Sequence, residues 1–368
     1  MRIYLDNNAS TAIHSQVLRI LEEALRETYG NASSIHREGQ AARRVIESAR
    51  EAVARLIGAT AREVVFTSGG TESNNAAIFG AVPPSGRFHI VTTAIEHPSV
   101  AEALRELERR GCEVTRVVPS RSGEVAAADV VAALRDDTRL VAVMMANNET
   151  GVVQPVEAIG PVCRERSIHF HCDAVQAAGK IPVDVKAIHC DTLSLSGHKL
   201  HAPKGIGALF VRRGLALETH MHGGAQERRR RPGTENVPLA AAFGAAAALP
   251  SAAAQMEKLR DRFESALDGE VTINGRDVRR LPNTSNVTFH GADGEGIVIA
   301  LDLAGVAVST GSACSSGRVE PSPVLLAMGL SPEDARSTVR FSLSRFTTED
   351  EIDRVSVLLR ELLPRCRR

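Results

Sequence analysis

Apolar residues recur along this chain with two alternating periods. Over 15–29 and again over 37–57 they fall at steps of three or four. Ala41, Val45, Ala49, Val53 and Leu56 line one face of the second stretch, and Gly58 follows as a stop. That spacing predicts amphipathic helices. Short runs rich in β-formers lie further on, at 63–67, 89–93, 113–118, 140–145, 168–172, 192–195 and 208–211. Between them the pattern predicts a helix starting at Thr71 and another over 100–110, ended by Gly111. Strands alternating with helices predict an α/β unit whose largely parallel sheet is covered on both faces.

After about residue 250 the rhythm changes. Helices are predicted over 252–267, 296–303 and 348–363, with short strands at 271–273, 286–289, 306–308 and 339–343. This pattern predicts a smaller α+β domain. The alanine-rich stretch 238–254 is cut by Pro250 and reads as a buried helix, not a membrane span. The segment from Met1 to Asp6 carries no signal-peptide pattern. Six cysteines, none in a C-x-x-C pair, are too sparse for a disulfide framework in 368 residues. A cytoplasmic protein with reduced thiols is expected. The 44 basic and 44 acidic residues cancel, and there is no Trp beside ten Phe and two Tyr. Neither the charge nor the aromatic content suits a nucleic-acid surface. The arginine run 228–231 is read instead as an anion-pairing loop.

Three constellations carry chemistry. Thr67-Ser68-Gly69-Gly70-Thr71 follows a strand and opens a helix. Its free N–H groups suit a phosphate, although a plain turn capped by Thr71 would have the same sequence. Ser196-Gly197-His198-Lys199 follows another strand. Burial there would lower the lysine's proton affinity and let its amine bond a carbonyl carbon; a surface lysine is the alternative. Asp173 ends an apolar strand, at the edge where α/β proteins bind ligands, or caps a helix. Together the three fit one ligand. Pyridoxal 5'-phosphate needs a lysine for its aldehyde, a carboxylate for its ring nitrogen and an anion site for its phosphate.

Further segments make the pattern specific: Tyr4-Leu5-Asp6-Asn7, Gly30-Asn31, Glu96-His97, Asn147-Asn148-Glu149-Thr150-Gly151, Gly233-Thr234-Glu235-Asn236, Gly311-Ser312-Ala313-Cys314 and Arg340-Phe341-Ser342-Leu343. In content and order the chain resembles the cysteine desulfurases of the NifS/IscS type, in the class V aminotransferase group. Ala32 departs from the proline usual after Gly30-Asn31, and Thr310 from a common serine.

The resemblance implies the fold type I of pyridoxal-phosphate transferases. Residues 13–250 would form a large cofactor-binding domain with a mostly parallel seven-stranded sheet. Residues 1–12 and 251–368 would form the small domain, carrying the cysteine loop and Arg340. It implies that Lys199 carries the cofactor, Asp173 pairs its ring nitrogen and Gln176 bonds its ring hydroxyl. Gly70, Thr71, Ser196 and His198 would hold the phosphate. Thr234 would reach the phosphate in the other subunit of a homodimer. Asn148 would lie near the ring and the substrate carboxylate, which Arg340 clamps. His97 would stack on the ring and move protons, and Cys314 would take sulfur from L-cysteine as a persulfide.

The surroundings of Cys314 are Gly, Ser and Ala, which predicts a mobile arm rather than a core position. The arm matches the long-loop version of the family, which hands sulfur to an acceptor protein, a scaffold or a carrier. Iron–sulfur cluster assembly, tRNA thiolation and thio-cofactor synthesis all draw on such a persulfide. Cys314 could also ligate an iron–sulfur cluster transiently during delivery. No resident metal is expected: His169, His171, Cys172, His189 and Cys190 lack zinc spacing. Same-fold alternatives are a selenocysteine lyase or an aminotransferase, and Cys314 argues against the latter.

Overall fold

The apolar runs before residue 250 pair into one sheet. The computed structural model describes residues 2–82, 86–310 and 320–367. Ile3–Tyr4 (β1) is a two-residue strand. Seven strands follow: Val64–Thr67 (β2), His89–Thr93 (β3), Glu113–Val117 (β4), Thr138–Met144 (β5), His169–Asp173 (β6), Thr192–Ser196 (β7) and Gly207–Val211 (β8). They form one sheet in the order β2-β8-β7-β6-β5-β3-β4. Neighbours among β3 to β7 are parallel, and β8 runs antiparallel to both β7 and β2. The carboxyl ends of β2, β3, β5, β6 and β7 therefore share one edge.

Burial on both faces explains the unbroken apolar runs. In β5, Val141 and Val143 join the largest core cluster, while Leu140 and Ala142 join another. In β8, Ala208 and Phe210 face the first, and Leu209 and Val211 a third. The alanine-rich stretch makes a shorter helix than its composition suggests, Val237–Ala247. Pro250 separates it from the next helix, Ala253–Ser265. The alanines serve close packing. A Cβ on Gly244 would stand 2.6 Å from the Ala49 Cα, so this helix and Arg37–Leu56 meet at nearly backbone distance.

The later part is built on Val271–Ile273 (β9), Thr284–Phe289 (β10), Val306–Ala307 (β11) and Thr338–Ser342 (β12). β9 and β12 flank β10 antiparallel, and β11 pairs with β1 in parallel. A separate core forms here from Ile3, Leu5 and residues beyond 258, with Phe341 between Phe263 and Phe289 at ring distances of 4.6 and 6.4 Å. Leu281, Val324 and Leu325 instead reach into the large core.

The amino-terminal segment ties the two parts together. Ser342 N donates to the Leu5 carbonyl at 2.7 Å, and Asn8 N to Ser342 Oγ at 2.9 Å. Residues 6–9 and Arg340 are thereby brought to the sheet's carboxyl edge. No described helix is long and apolar enough to cross a membrane.

Candidate active site

A cavity of about 660 Å³ opens at that edge. Most of the predicted residues reach it, each delivered by the end of an element. Asp173 ends β6, Ser196 ends β7, and His198 and Lys199 lie in the single 3-10 turn Gly197–Lys199. Gly70 and Thr71 open the helix Gly70–Ala81, His97 precedes the helix Pro98–Arg109, and Arg340 comes from β12. Asn148 and Gln176 complete the wall from loops after β5 and β6.

Lys199 is largely enclosed. Its Nζ donates to the carbonyls of Asn8 and Ala9 at 2.5 and 2.9 Å. Burial, reinforced by the Arg340 charge, pushes its amine down to about 8, against the pull of Asp6 and Asp173. The surface-lysine alternative is thus excluded. Asp173 is not a helix cap: its Oδ1 accepts from Val175 N at 2.9 Å within a run of turns. Its Oδ2 accepts from Asn74 Nδ2 at 2.7 Å. Nor is Thr71 the cap of its helix. That position falls to Gly69, which has no side chain to bond the first N–H groups. A Cβ on Gly70 would stand 2.8 Å from Val175 Cγ2, so a larger residue in this turn would have to displace the valine side chain.

Gln176 is held at both ends of its amide. Nε2 donates to the Asn8 carbonyl at 2.9 Å, and Oε1 accepts from Lys180 Nζ at 2.9 Å. Arg340 donates from Nη1 to the Asn148 carbonyl at 3.0 Å and from Nη2 to Asp6 Oδ1 at 2.7 Å, while its buried Nε has no partner among the described residues. Arg340 thus forms an internal ion pair with Asp6 and also faces the cavity. His97 likewise starts a helix and lines the cavity. Burial lowers the proton affinity of its imidazole; Asp173 opposes that shift and Lys199 adds to it. Burial brings His198 to about 4, helped by Lys199 and Lys204.

Thr234 is exposed and stands outside the cavity of its own chain. Cys314 lies outside the described residues. Of the five described cysteines, four are buried and none lines the cavity. Arg228 to Arg231 pair with Glu47 and Glu72 where they pair at all. Among the described residues no three His, Cys, Asp or Glu could hold a metal ion; His169 and His171 both bond Thr192.

This donor set fits pyridoxal phosphate. It offers an amine that deprotonates near neutrality, a buried carboxylate across the cavity, and a helix start whose N–H groups lack a side-chain cap, flanked by Thr71 and Ser196. Sequence reasoning assigned no role to Asp6, Asn8, Asn74, Ser99 or Lys180. Asp6 and Asn74 sit in or beside the motifs already recognised, which was the available signal.

A mostly parallel seven-stranded sheet with such a lysine at its carboxyl edge is the fold type I architecture of pyridoxal-phosphate transferases. The Aminotransferase class-V family matches residues 3–355. A cysteine desulfurase of Trichormus azollae is 46% identical over 375 residues, covering 99% of this chain and 94% of the relative. A solved NifS-like protein superposes with a TM-score of 0.90 at 34% identity, covering 99% of this chain and 100% of the other. SspA, solved in complex with cysteine, gives a TM-score of 0.85 at 37% identity, covering 95% of this chain and 100% of that one. The chain belongs to the class-V aminotransferase family, among its cysteine desulfurases of the NifS/IscS type.

Proposed function

We propose that this chain holds pyridoxal phosphate on Lys199 and takes sulfur from L-cysteine, leaving L-alanine and a persulfide on Cys314. The observation that carries the reading is the meeting of Lys199, Asp173, the Gly70 helix start and Arg340 around one cavity. The SspA complex with cysteine supports the substrate. When bound, the cofactor supplies a sink for the electrons that accumulate at the substrate α-carbon.

The chain's own residues do the rest. Gly70, Thr71, Ser196 and His198 hold the phosphate. Asp173, an acceptor fixed by Asn74 and Val175 N, would keep a proton on the ring nitrogen. Gln176 turns its NH₂ toward the ring hydroxyl, because its oxygen is already taken by Lys180. Arg340 and Asn148 bind the α-carboxylate. Lys199, its amine brought down to about 8, takes the α-proton. His97, on the cavity wall, would serve proton movement. The Cys314 thiolate attacks the substrate sulfur; the S–S bond forms as the C–S bond breaks, and its electron pair leaves on carbon. Protonation of that β-carbon, and return of a proton to the α-carbon from Lys199, completes alanine.

Thr234, exposed on its own chain, suits the phosphate site of a partner in a homodimer. The separate core of Ile3, Leu5 and residues beyond 258 supports a small domain of 1–12 and 251–368 against a large one of 13–250. A sulfur-acceptor protein, in the cytoplasm, would receive the persulfide.

The test is incubation with L-cysteine, assay of alanine, and mass-spectrometric mapping of the modified thiol. Alanine with a sulfur adduct on Cys314 is expected, and Cys314→Ser should bind the cofactor yet release no sulfide. Full sulfide release by Cys314→Ser would overturn the assignment.

A further inference from the structure

His97 faces the cavity with one ring nitrogen already engaged from behind, by residues outside the predicted set. The chain of contacts begins at Asp173. A carboxylate only accepts, so the Asn74 atom 2.7 Å from Asp173 Oδ2 must be its NH₂. The same nitrogen lies 2.8 Å from Ser99 Oγ and gives its second proton there. The Asn74 oxygen, turned the other way, accepts from His171 Nε2 at 3.0 Å. His171 then takes the Thr192 hydroxyl proton on Nδ1 at 3.0 Å. Asn74, Ser99 and His171 are buried, and reversing the amide would set its oxygen against the carboxylate.

Ser99 has thus accepted from Asn74, and its own hydroxyl proton is free to point to His97 Nδ1 at 2.7 Å. The Ser99 backbone N–H also points at that nitrogen, at 3.1 Å. Two donors converge on one ring nitrogen, which leaves it no room for a proton of its own.

We infer that Ser99 and Asn74 are positioning residues that hold His97 as a neutral imidazole with its proton on Nε2, in register with Asp173. The inference rests on reading His97 as a working residue of the desulfurase site. The surrounding charges agree with it. Burial disfavours a second proton on the ring and Lys199 adds to that, against the opposing pull of Asp173. Glu96, the preceding residue, is raised by burial to about 8 and is uncharged near neutrality. His97 in the resting protein therefore offers an N–H and not a lone pair. Removal of the substrate α-proton falls to Lys199, and His97 acts as a donor. It can gain a proton only by giving up Ser99.

The experiment uses the full-length protein labelled with ¹⁵N-histidine, with and without pyridoxal phosphate, and His97→Gln to assign the signal. Imidazole ¹⁵N–¹H correlation near neutral pH should show His97 in a single Nε2–H form. Ser99→Ala should mix the two tautomers and move the His97 titration midpoint to higher pH. Ser99→Thr, which keeps the hydroxyl, should restore both. An Nδ1–H or doubly protonated His97 in the unaltered protein overturns the inference, as does a Ser99→Ala signal identical to the parent. If Ser99→Ala does not fold, the tautomer of the unaltered protein decides alone. Failure of the desulfurase reading would appear separately, as no alanine from L-cysteine.

Discussion

Arg340 donates from Nη2 to Asp6 Oδ1 at 2.7 Å, so the guanidinium meets a carboxylate of its own chain before any substrate arrives. A second carboxylate must either share that fork or displace Asp6. Arg340→Lys keeps the charge but loses the planar fork, and truncating a buried hydrogen-bonded charge typically costs 2–5 kcal/mol. Steady-state kinetics should show KM for L-cysteine raised about 100-fold, with a smaller change in kcat. Asp6→Asn should move KM the other way, since it removes the competitor. A KM unchanged in Arg340→Lys would place the substrate carboxylate elsewhere.

Lys180 is buried, and its Nζ donates to Gln176, to the carbonyl at 3.0 Å and to Oε1 at 2.9 Å. Burial pushes this amine down to about 7, and the Lys199 and Arg340 charges act in the same direction. The unfolded chain binds this proton up to the ordinary lysine range, about 10.4, and the folded one releases it about pH 7. Between those values the unfolded state holds more protons, so Lys180 makes stability rise with pH, by at most about 1.4 kcal/mol per pH unit. Below pH 7 the full cost of charging the buried amine is present. Urea unfolding at pH 7 and pH 9 should show this rise in the parent and lose it in Lys180→Met. An equal slope in both proteins would mean that Lys180 titrates normally.

Strands were legible where burial on both faces leaves a run of β-formers: His89–Thr93, buried at every position, matches its predicted limits. Helix starts were less so. The pattern put one at Val100, but Pro98 opens the helix, with the His97 side chain as its cap, because cap geometry depends on a side chain's direction and not on apolar spacing. The site residues came from motifs, each a strand or helix end with its chemical group beside it. What supports them came from long-range pairing that no local pattern encodes. Asn8 serves Lys199 and Gln176 across about half the chain, and Asn74 joins Asp173 to Ser99.

The arginine run also conceals a structural residue. Glu227, just before it, is buried and takes two bonds from Arg50, at 2.5 and 2.9 Å. Phe66 N adds a third at 3.2 Å. Removing one partner of such a pair strands a charge in the core, at a cost of about 3–5 kcal/mol. Arg50→Met should lower stability by that order in chemical denaturation. Arg228→Ala, on an exposed partner of Glu47 at 3.7 Å, should change it by less than about 1 kcal/mol. Similar losses in the two variants would contradict the assignment of the buried pair.

Asp173 supplies the sharpest test of the site's electrostatics. Its two oxygens are already fixed, Oδ1 by Val175 N at 2.9 Å and Oδ2 by Asn74 at 2.7 Å, so the carboxylate is oriented before any cofactor binds. Asp173→Asn nearly preserves the volume but removes the negative charge that keeps a proton on the cofactor's ring nitrogen. It also places an NH₂ where an acceptor stood, against either Val175 N–H or the Asn74 amide. The loss of a preorganised charge at such a position costs about 100- to 1000-fold in kcat. Alanine formation should fall by that factor, while mass spectrometry after borohydride reduction still finds the cofactor on Lys199. Near-parental alanine formation by Asp173→Asn would remove Asp173 from the catalytic set and leave it the role of fixing Asn74.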